Sequence, residues 1–140
     1  MRFEAVQDVA APAATAWSIY RDVERWPEWT DTVTSVELLD GPLRMGARAR
    51  IRQPRLPVAE WEVTELDEGR RFEWVSRAPG VRTTGIHVVE ETGPDSCRVT
   101  AALDQRGPLG VLIGLVTSRL TKRYLATEAA GLKRRAESAT

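Results

Sequence analysis

The longest amphipathic pattern in the chain lies near its C-terminal end. Leu109, Leu112, Ile113, Val116, Leu120 and Tyr124 recur at three- and four-residue steps, a spacing that gathers side chains on one helical face. A single long helix is predicted from Leu109 to Glu137, opened by Pro108, whose missing amide hydrogen costs little in a first turn. Thr117, Thr121 and Glu128 fall about a third of a turn from this stripe, and Arg119, Lys122, Lys133 and Arg134 occupy the opposite flank. The stripe is therefore expected to face inward, and the charges water. Upstream, the period changes from helical to two. Strands are predicted over Phe3 to Val9, Val33 to Leu39, Ala47 to Gln53, Val58 to Leu66, Arg71 to Arg77, Arg82 to Glu90 and Cys97 to Asp104. Turn signals such as Asp40-Gly41-Pro42 and Ala78-Pro79-Gly80 separate them. Between the first two strands, Ala11-Pro12 starts a helix reaching Tyr20, and Asp22 to Thr30 suits a second brief helix with Pro27 in its first turn.

The alternation assigns a dry and a wet face to each strand. Ala47, Ala49, Ile51 and Gln53 alternate with Arg48, Arg50 and Arg52; Ala59, Trp61 and Val63 with Glu60 and Glu62; Phe72 and Trp74 with Arg71 and Glu73. A sheet with one dry face needs a cover, and only the final helix is long enough to supply it. The expected fold class is α+β: a seven-stranded curved antiparallel sheet wrapped around a long C-terminal helix, with two short helices between strands one and two. The three arginines most simply form a solvated charge ladder with the glutamates of the next strand; an acidic partner is the sharper reading.

Composition narrows the function classes. A chain of 140 residues suits one domain. The 20 basic and 20 acidic residues cancel, with no long run of either sign, so the basic footprint needed for nucleic acid is missing. The longest apolar run, Leu109 to Val116, is far short of the roughly 18 residues of a membrane span. With no leader-like segment at its start, the chain is expected to be soluble and cytoplasmic. Cys97 is the only cysteine and His87 the only histidine, so neither a disulfide nor a zinc site is expected. No phosphate-cradling glycine loop is present, and no cofactor is expected. The partners expected are a hydrophobic small-molecule ligand and, as a candidate protein partner, a second copy of the chain in a homodimer.

The residues that carry candidate chemistry lie on the inward faces. Trp61 and Trp74 on consecutive strands could stack a planar ligand or simply fill the core, while Ala47, Ala49 and Gly85 leave room. Ile51, Val116 and Leu120 would supply apolar wall, and Gln53 and Tyr124 the few orienting hydrogen bonds, with Tyr124 favoured at the rim. His87 is the one group whose ordinary pKa lies near neutrality, hence the one candidate general acid or base. The more apolar pair Ile86 and Val88 argues for His87 facing outward. Trp26 and Trp29 read as a plug anchoring the short helices.

The element order, with Ala11-Pro12, Asp22-x-x-x-Trp26-Pro27-x-Trp29 and Asp40-Gly41-Pro42 to Gly46, resembles the START-like helix-grip superfamily, also called SRPBCC. Within it the chain is most similar to small bacterial polyketide cyclase/dehydrase and lipid-transport domains. The resemblance covers essentially the whole chain. It implies a deep cavity between sheet and final helix, suited to a hydrophobic or aromatic small molecule. Three functions follow from it: a cyclase or dehydratase moving protons with His87 or Tyr124, a non-catalytic lipid or hydrophobic-ligand carrier, and an interaction module using the arginine-rich face. The fold hosts all of these, so it does not choose among them.

Overall fold

The computed structural model describes residues 1–139. Strand β1 (Arg2–Val9) is followed by helix α1 (Ala13–Arg21) and a short 3-10 helix, Val23–Glu28. Then come β2 (Ser35–Leu38), β3 (Arg48–Arg52), β4 (Ala59–Asp67), β5 (Arg71–Ala78), β6 (Val81–Gly93), β7 (Ser96–Arg106) and helix α2 (Gly110–Ser138). The strands form one antiparallel sheet in the order β1-β7-β6-β5-β4-β3-β2. From β2 onward each strand pairs with the next, and β1 closes the sheet on β7, with Phe3 opposite Leu103 and Val9 opposite Cys97. This is the helix-grip architecture expected from the alternation.

Pro12 and the residues after it enter α1 without a side-chain cap, and Ala16, Trp17 and Tyr20 form its buried face. Pro27 lies toward the end of the 3-10 helix and not in its first turn, because the turn starts earlier, at Val23. Val23 and Trp26 are its buried residues. Trp26 and Trp29 pack on Tyr20 in a cluster of tilted and edge-on rings. The two tryptophans of this segment thus form the expected plug.

The arginines of β3 all point to the convex, wet face, where the alternation placed them. Arg48 pairs with Asp40 at 3.0 Å and Glu60 at 3.3 Å, and Arg50 with Glu37 at 3.6 Å. Glu62, expected to join this ladder, pairs instead with Arg77 of β5 at 3.3 Å, since it lies between two strands and the β5 arginine is within reach.

Helix α2 departs from expectation in its rotation. Its buried positions are Gly110, Gly114, Leu125, Glu128, Ala129, Gly131, Leu132 and Ala136. Leu112 and Val116, the centre of the expected inward stripe, are 60 % and 77 % exposed; Ile113 and Leu120 are half-buried. The first turns carry large aliphatic residues almost all round, so periodicity alone did not choose a face. Backbone proximity chose it. A Cβ at Gly110 would sit 3.0 Å from the Gln105 carbonyl oxygen, and one at Gly114 would sit 2.8 Å from Met1 Sδ. The helix therefore approaches β1 and β7 along its small residues and turns Leu112 and Val116 away from the sheet. Gly110-x-x-x-Gly114 serves close helix-to-sheet approach, as its sequence suggested.

The rotation makes a paired prediction. Leu132, fully buried, should cost about 2–5 kcal/mol on truncation to Ala, whereas Val116→Ser should shift stability by less than about 0.5 kcal/mol. Urea denaturation of both variants checks this, and comparable losses would mean that the helix is seated on its other face.

Candidate functional site

On one flank α2 rests on β1 and β7; on the other it spans a cavity of about 310 Å³. Along the helix the lining runs from Ile113 to Glu128, about 22 Å at the rise of an α-helix, so the space is elongated. Trp26, Trp61 and Trp74 supply indole wall, and Ile51, Leu103 and Leu120 aliphatic wall. No Arg or Lys is among the lining residues. A second, wider and more open cleft of about 400 Å³ lies outside this space, against Glu28, Trp29, Gly131 and Arg135. Two of its walls satisfy each other, since Arg135 pairs with Glu28 at 2.7 Å; the more enclosed and more apolar cavity is the better binding site.

Most of the residues singled out in the sequence converge on this cavity. Trp61 and Trp74 lie 6.0 Å apart between ring centroids, side by side on β4 and β5. Gly85 makes their arrangement possible: a Cβ there would sit 2.8 Å from Trp74 Nε1 and 3.5 Å from a Trp61 ring carbon. Gly85 thus frees room for indoles, which in turn form the wall. Gln53 lines the cavity while donating to the Thr32 carbonyl at 3.1 Å. Tyr124, at the rim, donates its hydroxyl hydrogen to the Pro54 carbonyl, tying α2 to the loop after β3. Val116 is the exception. The rotation of α2 carries it to the surface, and Ile113, Thr117 and Thr121 stand in its place.

His87 faces inward, against the expectation drawn from Ile86 and Val88. It is only 4 % exposed, stacked on Phe72 at 4.2 Å and edge-on to Trp26 at 5.1 Å. Ile86 is equally buried on the other face of β6, so apolar character could not identify the inner side. Pairing of His87 with Ala101 and of Gly85 with Leu103 sets it in the inward register. His87 Nδ1 lies 3.3 Å from the Phe72 carbonyl oxygen. A carbonyl can only accept, so Nδ1 carries the proton and Nε2 keeps its lone pair. Burial pushes the imidazole pKa down to about 3. At neutral pH it is an uncharged hydrogen-bonding group and a weak base.

Glu128 is the site residue that the sequence reading passed over. It lines the cavity, is 9 % exposed, and its Oε2 has no hydrogen-bond partner. Burial pushes its carboxyl up to about 8, so it is mostly protonated at neutral pH. Tyr20, fully buried with an unpaired hydroxyl, is raised well above its ordinary value by burial first and by Glu128 second. The sequence signal was present: Glu128 falls on the Thr117–Thr121 flank, and that flank is the one facing the cavity. Among the described residues no group of three His, Cys, Asp or Glu is placed to hold a metal, and no helix is long and apolar enough to cross a membrane.

A curved seven-stranded sheet gripping one long helix over a cavity is the architecture of the START superfamily, and solved structures bear out that likeness. A START superfamily protein from Mycobacterium smegmatis superposes with a TM-score of 0.80 at 23 % identity, over 99 % of each chain. The Zhui aromatase/cyclase from Streptomyces superposes with a TM-score of 0.73 at 18 % identity, over 99 % of this chain and 97 % of that one. Norcoclaurine synthase from Thalictrum flavum, in complex with dopamine and hydroxybenzaldehyde, gives 0.73 at 16 % identity, over 96 % and 84 %. The chain belongs to the polyketide cyclase/dehydrase and lipid transport family, which it matches over residues 1–137. No curated protein matches its sequence.

Two predictions follow from the site. Gly85→Ala should displace the Trp74 indole, read as a changed tryptophan emission maximum with the fold retained by circular dichroism; an unchanged spectrum would mean that the indole does not rest on Gly85. The second concerns pH. Glu128 has a folded pKa raised above its ordinary 4.5, so its stabilising proton is lost as pH rises toward 8. His87, depressed below its ordinary 6.5, costs stability as pH falls toward 3. Their joint effect places the stability optimum between about pH 4.5 and 6.5. Glu128→Gln should flatten the alkaline side and stabilise the protein by roughly 1–3 kcal/mol at pH 8, after discounting the amide's own unpaired burial. Melting temperatures across pH 4 to 9 test both limbs.

Proposed function

We propose that the protein binds a hydrophobic or aromatic small molecule in the cavity between the sheet and α2. The observation that carries this reading is the cavity itself, of about 310 Å³, walled by three indoles and mostly apolar over its surface. That combination of apolar wall and interspersed hydrogen-bonding groups is typical of small-molecule sites. Ile51, Trp61, Trp74 and Leu120 provide the wall, and Gln53 and Tyr124 the polar points nearest the rim. Among the structural neighbours, one is an aromatase/cyclase and norcoclaurine synthase is in complex with dopamine and hydroxybenzaldehyde, which is consistent with an aromatic ligand here.

A catalytic version of this reading, as a cyclase or dehydratase, is favoured by one observation. His87 and Glu128 share the cavity with pKa values pushed to opposite sides of neutrality, the pattern in which one group can donate a proton and the other accept a hydrogen bond. The neutral Glu128 is the better acid. His87, with a pKa of about 3, fits orienting a carbonyl-bearing ligand's hydroxyl better than abstracting a proton. A carrier function needs neither group, and a second copy of the chain is the homodimer alternative for its exposed helix face.

The test is tryptophan fluorescence titrated with naphthalene- and anthracene-type probes. Binding should quench emission, and Trp61→Phe and Trp74→Phe should each remove part of the quench without unfolding the protein. His87→Ala should retain binding; loss of turnover on an aromatic polyketide alone would mark the protein as an enzyme. Absence of quenching by every probe would overturn the binding function.

A further inference from the structure

The cavity is lined by one carboxyl group and by no Arg or Lys. Glu128 lies against it with an unpartnered oxygen, and no Arg or Lys lines the space to neutralise a carboxylate or a phosphate. An anion entering this cavity would lose its hydration and meet no counter-charge. A cation would find a carboxyl group able to ionise against it. An ammonium group brings three donors and no acceptor, and the unfilled valences near it suit donors: Glu128 Oε2 has no partner, and His87 Nε2 keeps its lone pair because Nδ1 is turned to Phe72. Trp26 and Trp74, whose rings lie 5.4 Å apart and close on His87, offer π-faces that stabilise a cation further.

We propose that the cavity selects its ligand by charge, taking an aromatic or aliphatic body that carries a cationic nitrogen against Glu128 and rejecting bodies that carry a carboxylate or phosphate. The inference rests on the cavity being the binding site. It adds to that reading a ligand class and a residue that recognises it. Binding of the ammonium form converts Glu128 from carboxylic acid to carboxylate and releases its proton to solvent, so no other co-reactant is needed. The titratable groups that share the cavity or face Glu128 are His87 from β6 and Tyr20 from α1. Both remain uncharged around neutrality, His87 because its pKa is depressed and Tyr20 because its pKa is raised. Tyr124, one turn back on α2, is engaged with the Pro54 carbonyl.

Three probes of one shape separate this inference from the binding function on which it rests: naphthylethylamine, naphthylethanol and naphthylacetate, titrated against the intact chain by tryptophan quenching and calorimetry. The amine should bind at least about tenfold tighter than the alcohol, and the acetate at least about tenfold weaker, as expected for one buried charge pair. Between pH 6 and 8 the amine's affinity should rise with pH, with uptake of the ligand releasing close to one proton, while the alcohol's affinity stays flat. Glu128→Gln should erase the amine's advantage over the alcohol and its pH dependence. The wild-type pH profile and proton release stand independently of how well the variant folds. If the alcohol binds and the amine binds no tighter, or if the acetate binds best, charge selection by Glu128 is wrong and the cavity function survives. If none of the three binds, both fail.

Discussion

The structure depends on how α2 is seated. At Gly131 the helix backbone lies so close to the 3-10 segment that a Cβ would stand 2.2 Å from the Trp29 carbonyl oxygen, an approach only glycine permits. Leu132 and Ala136, one face of the same turns, are fully buried in the main apolar core with Val9, Ala16 and Cys97. This fixes the helix's rotation and its distance from the short helices. With the C-terminal half held in this way and Gly110 and Gly114 drawn toward β7 and Met1, the remaining flank cannot also reach the far side of the curved sheet. The cavity is the space left between.

That geometry explains why the polar groups of the site are unpaired. In a filled core, buried polar atoms are almost always matched. Glu128 Oε2, Trp61 Nε1 and Gln105 Oε1 around this cavity, and Tyr20 Oη in the apolar core, lack hydrogen-bond partners in the protein. Each sits on a rigid element: α2, α1, β4 and β7. The protein thus keeps several hydrogen-bonding groups at fixed positions without satisfying them internally, and the energetic cost of doing so is what a bound molecule or solvent would recover. The aromatic cluster around His87 serves the same arrangement from the other side. Rings of Phe72, Trp26, Trp74 and Tyr20 surround the imidazole, and the Phe72 carbonyl at Nδ1 leaves Nε2 as its acceptor.

The convex face is physically independent of all this. Its ion pairs, such as Arg48 with Asp40 and Arg77 with Glu62, are solvent-exposed and individually weak. The alternation of β3 alone keeps its arginines out of the cavity. The absence of arginine inside the cavity and its abundance on the convex face are two consequences of one alternation. The exposed Leu112, Leu115 and Val116 lie on the outer side of the helical turns that roof the cavity, so those turns are apolar on both faces.

Much of this was legible in the sequence, because the properties concerned are local. Strict alternation in β3, β4 and β5 assigned Trp61, Trp74 and Ile51 inward and the arginines outward, since a strand has only two faces and one carried all the charge. Turn residues marked the strand boundaries within a few positions. The length of the last amphipathic segment identified it as the cover for the sheet. Three features were settled only by the tertiary structure. His87 and Ile86 are both buried on opposite sides of β6, so the inner face depended on pairing with Ala101 and not on hydrophobicity. The rotation of α2 depended on where glycines and alanines let it approach its neighbours, and a helical turn that is aliphatic all round carries no information about that choice. Glu128 followed from the rotation: a glutamate on a polar flank reads as a surface residue until the flank is turned over a cavity, where burial by distant elements changes its protonation and its chemistry.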